Sequence, residues 1–158
     1  MRAAEEDHLE CVKFLAGEEE EREASHFTDL IVAAVCGDAN GVKRHIDQAG
    51  QKAADGATAL IYAAVEGHLE CVKILAPLEK GMDDEDEETA LMYAAMMGHL
   101  ECVKFLAPEE AGMRDDYGET AMIKSDDDGK AASFLSPFEA GLIDNNEYNQ
   151  TILVILSC

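Results

Sequence analysis

"DGATALIYAAVEGHLECVKILAPLEKGM" fills residues 55–82 and "DEETALMYAAMMGHLECVKFLAPEEAGM" fills 86–113, two stretches of 28 residues that agree at 20 positions, too many for chance. The heptapeptide GHLECVK stands at 67–73 and 98–104, with the near copy DHLECVK at 7–13. Outward from this pair the register holds. Thr28, Thr58, Thr89, Thr120 and Thr151 recur at separations of 30, 31, 31 and 31, and Gly50, Gly81 and Gly112 each stand eight residues before the next threonine. A fixed period of this length signals stacked supersecondary units.

Each unit reads as two short helices and a turn. Thr58 or Thr89 is placed to cap a first helix in which Leu60, Ala63 and Ala64, or Leu91, Ala94 and Ala95, recur at helical spacing with side chains small enough for close packing. Gly67 or Gly98 then breaks that helix. A second helix carries Leu69, Cys71, Val72, Ile74 and Leu75 around more than half its circumference, so a pair this short cannot bury its apolar surface alone and must stack on a neighbour. Pro77 and Pro108 either end the second helix or, the reading favoured here, open one more turn that Gly81 and Gly112 close in a left-handed conformation.

Composition limits the function classes. The chain has 158 residues, 47% apolar and 29% charged, which suits one globular domain. Its 12 Lys and Arg against 34 Asp and Glu give a net charge of −22, repelling phosphate backbones and anionic lipid, so neither nucleic acid nor membrane is an expected partner. The longest aliphatic run, Ile152 to Leu156, is far below the roughly 20 residues of a spanning helix, and the acidic start is unlike a secretory signal. A cytoplasmic setting is expected. Five cysteines without a C-x-x-C pair fit neither a disulfide scaffold nor a zinc knuckle, and reduced thiols are expected.

The units closely resemble the ankyrin-repeat family, most of all the divergent arrays expanded in some parasitic protists. The resemblance implies an all-α fold: an ankyrin solenoid of stacked helix-turn-helix units with short β-turn-like connections. It covers nearly all of 1–158 as a single domain, with a partial repeat at 1–24, repeats at about 25–54, 55–85, 86–116 and 117–147, and a partial repeat at 148–158. There are departures from the family pattern. Its Thr-Pro-Leu-His becomes Thr58-Ala59-Leu60-Ile61 and Thr89-Ala90-Leu91-Met92, losing the histidine that braces the turn, so looser turns are expected. The turn glycine, kept as Gly56 and Gly118, becomes His26, Glu87 and Asn149. Ser125 and Asp126 replace the packed alanines of the fifth unit, which is expected to be distorted.

Candidate sites are weighed against a structural role. His8, His68 and His99 each precede a cysteine by three residues (Cys11, Cys71, Cys102), sharing a helix face as zinc ligands would. The resemblance implies units about 10 Å apart, too far for pairs from neighbouring repeats to share one ion, so framework roles are assigned. Ser125 to Lys130, "SDDDGK", fits a calcium loop only in part, with Lys124 and Leu135 at positions that need oxygen ligands. The acidic runs 83–88 and 18–23 read as solvated turn and helix face. No hydrolase, P-loop or dinucleotide fingerprint is present, and no catalytic residue, cofactor or metal is expected.

In the family, partners meet the turn tips and the exposed surface of the first helix. Carried onto this sequence, those positions are Phe27, Val35 and Cys36, then Asp55, Ala57, Val65 and Glu66, then Asp86, Glu88, Met96 and Met97, then Tyr117, Glu119, Asp127 and Asp128. Carboxylates at most turn tips should attract a Lys/Arg-rich segment, and the thioethers of Met96 and Met97 suit adaptable contacts. The expected function is a non-catalytic protein-interaction module. The alternative is a scaffold or targeting fragment of a larger ankyrin-containing protein such as a kinase fusion, suggested by the abrupt "TILVILSC", whose apolar helix is also a candidate for self-association.

Overall fold

A computed structural model describes residues 27–126 and 128–139. They form four helical hairpins: α1 (Asp29–Cys36) with α2 (Ala39–Arg44), α3 (Ala59–Glu66) with α4 (Leu69–Glu79), α5 (Ala90–Met96) with α6 (Leu100–Glu110), and α7 (Ala121–Lys124) with α8 (Lys130–Glu139). A 3-10 turn at Ile46–Gln48 follows α2. No strand occurs among the described residues beyond an isolated bridge between Asp83 and Thr89. The partial units expected at 1–24 and 148–158, with His26, Asn149 and the C-terminal apolar helix, lie outside the described residues, as does Asp127.

Each first helix begins where a threonine takes an orphan amide. Thr28, Thr58 and Thr89 accept from the N–H of Ile31, Ile61 and Met92. Helices of seven or eight residues are too short to persist alone, and their stability comes from stacking. α1, α3, α5 and α7 pack in one row and α2, α4, α6 and α8 in a second. The rows enclose a single core in which Leu60, Ala63, Ala64, Leu91, Ala94 and Ala95 are fully buried, along with Cys71, Val72 and Leu75 and their counterparts Cys102, Val103 and Leu106. Each such leucine contributes about 1.5–3 kcal/mol of burial, shared between adjacent units.

α4 and α6 run through Pro77 and Pro108 to Glu79 and Glu110, so neither proline ends its helix. Both prolines are exposed, which leaves the carbonyls they cannot serve open to water. Gly81 and Gly112 then turn the chain at φ 73° and 86°. The described part of the fifth unit departs from the others. α7 stops after one turn because Ser125 and Asp126 cannot enter the alanine stack, yet Ala121, Met122, Ala131 and Leu135 remain buried.

Candidate protein-interaction surface

The repeated Gly-His pair is a joint between units. His68 Nε2 donates to the carbonyl of Val35 at 3.0 Å and His99 Nε2 to that of Val65 at 2.9 Å, each reaching back to the first helix of the preceding unit. The ring lies on a glycine. A Cβ on Gly67 would fall 2.5 Å from His99 Nδ1, and one on Gly37 would fall 2.7 Å from His68 Nδ1. Gly67 also holds φ 75°, so space and conformation both demand glycine. The fifth unit has no histidine there, and Asp126 lies against Gly98 instead.

A second joint is made by buried carboxylates. Glu79 accepts from Gly50 N at 2.8 Å and Leu60 N at 2.7 Å, and Glu110 accepts from Gly81 N and Leu91 N, both at 2.9 Å. Each ties the end of the previous second helix to the second amide of its own first helix, an orphan donor at the positive end of the helix dipole. Glu139 occupies the same place, accepting from the Thr120 hydroxyl at 2.5 Å, and Gln48 does so in the first described unit, accepting from Leu30 N at 2.9 Å. Burial pushes the carboxyls of Glu110 and Glu139 above their ordinary pKa, a shift that the donated hydrogen bonds only partly offset. Sequence reading missed these residues, although the position two before Gly50, Gly81, Gly112 and Gly141 is Gln, Glu, Glu and Glu.

The turns form a ridge. Asp84 Oδ1 accepts from the amides of Asp86 and Glu88, and Asp115 Oδ1 from those of Tyr117 and Glu119. Successive turns are joined by main-chain hydrogen bonds from Glu85 N to Asp55 O and from Asp116 N to Asp86 O, both 3.3 Å. Glu87 holds φ 60° where the other turns have Gly56 and Gly118, a conformation costing a non-glycine residue about 1–2 kcal/mol. Lys124 is enclosed between Asp115 and Glu88, with 11% of its side chain exposed against 0% and 14%. Burial alone would raise the Asp115 carboxyl, but Lys124 and the turn amides hold it below the usual range. Lys124 is raised by the same two carboxylates against the effect of its own burial.

The residues singled out from sequence divide on inspection. Asp86, Tyr117 and Glu119 are exposed on the ridge, as is Asp128 further on. Met96 and Met97 are 36% and 50% exposed at the end of α5, beside exposed Glu66 and half-buried Val65 at the end of α3. Six others make contacts within the chain. Ala57 is 4% exposed and packs in the core, so it presents nothing to a partner. Glu88 is held by Lys124, Asp55 accepts from the Tyr62 hydroxyl at 2.7 Å, and Cys36 is disulfide-bonded. Phe27 stacks edge-on against Tyr62 at 5.2 Å, and Val35 lends its carbonyl to His68. Among the described residues no cation lies within ion-pair distance of Glu85, Asp86, Glu87, Asp116 or Glu119.

Metal and thiol chemistry find little support. Carboxylate oxygens of Asp84, Asp86 and Glu88 lie within 4.8 Å of one another, but both oxygens of Asp84 already accept hydrogen bonds, one from Tyr93, and Glu88 is paired. Cys71 and Cys102 are free, buried thiols, with Cys71 pushed up to about 11, by burial first and then by Asp38 and Glu70. The expectation of reduced thiols holds for these two and fails for Cys36. No helix among the described residues is long and apolar enough to cross a membrane.

A family model described as ankyrin repeats matches the chain in three overlapping copies, at residues 1–84, 30–113 and 75–136. No curated protein matches it.

Proposed function

Because the chain belongs to the ankyrin-repeat family, whose arrays are generally protein-interaction modules and typically non-catalytic, we propose that it binds a protein partner through a Lys/Arg-rich segment laid along the turn ridge. The observation that carries this reading is the set of five exposed carboxylates, Glu85, Asp86, Glu87, Asp116 and Glu119, without a cation of their own among the described residues. Hydrogen bonds from turn to turn fix their relative positions, so a bound chain loses little of its attraction to rearrangement of the ridge. Met96 and Met97 supply apolar contact at the other end of α5. The cytoplasmic setting expected from the sequence belongs to this reading as well.

The test is binding of a Lys/Arg-rich peptide, followed by fluorescence anisotropy at about 50 mM and about 300 mM salt, where the screening length shortens from above to below ~10 Å. Affinity is expected to fall at least about tenfold across that range and to fall again in Asp86→Asn/Asp116→Asn. Binding indifferent to both changes sinks the proposal.

A further inference from the structure

Tyr62, Tyr93 and Lys124 stand at the same place in three consecutive units, 31 residues apart. The two phenols brace the turns beside them: Tyr62 donates to Asp55 Oδ2 and Tyr93 to Asp84 Oδ2, both at 2.7 Å. Each of those hydrogen bonds stays within one turn. In the fifth unit an ammonium replaces the phenol and serves two turns at once, lying 2.5 Å from Asp115 Oδ2 and pairing with Glu88 of the preceding turn. A phenol has a single proton to donate and an ammonium three, which is what the double contact needs. Asp115 is 4% exposed, and its Oδ2 accepts from nothing else among the described residues.

Through Asp115 the ammonium reaches the ridge. Oδ1 of the same carboxylate accepts from Tyr117 N at 3.0 Å and Glu119 N at 2.8 Å, which fixes the turn bearing Asp116 and Glu119. On the other side, Glu88 N and Asp86 N both donate to Asp84 Oδ1, so the turn bearing Asp86 is tied to the same lysine through Glu88. With 11% of its side chain exposed, Lys124 is too enclosed to meet a partner itself.

We propose that Lys124 is a positioning residue for partner binding, setting Asp86 on one turn and Asp116 and Glu119 on the next in fixed register for a basic segment, a role that rests on the ridge being the binding surface. Its charge and its placing pull in opposite directions. An ammonium beside an acidic ridge weakens the field, so charge alone has Lys124 oppose a Lys/Arg-rich segment. Preorganisation has it assist, because carboxylates already held in place need not be ordered as the segment binds. Placing prevails here, since without Lys124 two enclosed carboxylates lose their cation, and the turns must open to water to solvate them, carrying Asp116 and Glu119 out of position.

Fluorescence anisotropy of a Lys/Arg-rich peptide with the full chain at about 50 mM salt tests the proposal, at a temperature where thermal melts show every variant folded. Lys124→Met makes the chain more acidic, yet it is expected to weaken binding at least about fivefold. Lys124→Tyr, which restores the residue of the two preceding units, is expected to recover part of that loss, since its phenol can donate to Asp115 as Tyr93 does to Asp84. Leu135→Ala removes packing from the core of the same unit, outside the ion pairs, and is expected to leave affinity unchanged, which separates misplaced carboxylates from a loosened unit. If the wild-type chain binds, Lys124→Met binding as tightly or more tightly, or Leu135→Ala weakening binding as much as Lys124→Met, overturns the proposal and leaves the ridge as the binding surface. A wild-type chain that does not bind the peptide overturns both.

Discussion

Glu110 and Leu91 meet at 2.9 Å, carboxylate oxygen to main-chain amide, in a site where the glutamate is 1% exposed. The same carboxylate takes the part-buried amide of Gly81, so its removal strands that donor as well as the buried amide of Leu91. Glu110→Ala is expected to cost about 2–4 kcal/mol, the loss of two satisfied donors together with a cavity. Glu110→Gln should cost less than half as much, because Gln48 already fills the equivalent place with one hydrogen bond to Leu30. Urea denaturation of both variants measures the difference.

Burial sets the sign of the pH dependence. Glu110 and Glu139 titrate above their ordinary range in the folded chain, so the native state binds protons more readily than the unfolded one. Their contribution is complete below the unfolded carboxylate pKa and is lost as pH rises through the folded value. Asp115 is depressed, and its contribution, present above the ordinary aspartate value, is lost as pH falls through its lowered one. Stability should therefore peak in mildly acidic solution, with a melting temperature higher near pH ~5 than near pH ~8, a trend reinforced by the net charge of −22. Glu110→Gln/Glu139→Gln should flatten the fall toward alkaline pH, and thermal melts across the range give the slope.

Gly67→Ala brings a methyl group against His99 and forces a left-handed alanine. A loss of about 2–3 kcal/mol is expected. In a His99→Ala background only the conformational part, about 1–2 kcal/mol, should remain. A double-mutant cycle of chemical melts with no coupling between the two positions contradicts the packing seen here.

Lys124→Met leaves Asp115 and Glu88 facing each other without a cation. Breaking a buried pair in this way costs about 3–5 kcal/mol. The effect should be local, appearing as faster amide exchange across residues 115–126 while Leu60, Ala63 and Ala64 keep their protection. Equal loss of protection in both regions argues that the triad supports the whole array instead.

The periodic threonines and glycines made the stacked fold legible, because capping and left-handed turns demand particular residue types at particular places. Thr28, Thr58 and Thr89 do cap, and Gly81 and Gly112 do turn. The buried carboxylates were not legible in the same way. A glutamate near the end of a helix, two residues before a glycine, has the look of a solvated side chain, and ionisable groups seldom enter a core. Its burial follows from tertiary placement against the amides of another helix, which local spacing does not encode. Lys124 was hidden for a similar reason, since its partners lie 9 and 36 residues away in sequence. On the ridge, alignment could not separate Asp86 and Glu119 from Glu88, which is half-buried and held by Lys124, or from Asp55, which is exposed but accepts from the Tyr62 hydroxyl.

The histidine contacts run one way, each ring reaching back onto the helix before it, and the ladder ends where Asp126 takes the ring's place on Gly98. An assembly fastened in this manner has a direction. Drawn apart from its ends, it gives way in order, beginning where the imidazole is missing, and each released link of about 31 residues lengthens the thread by roughly 100 Å.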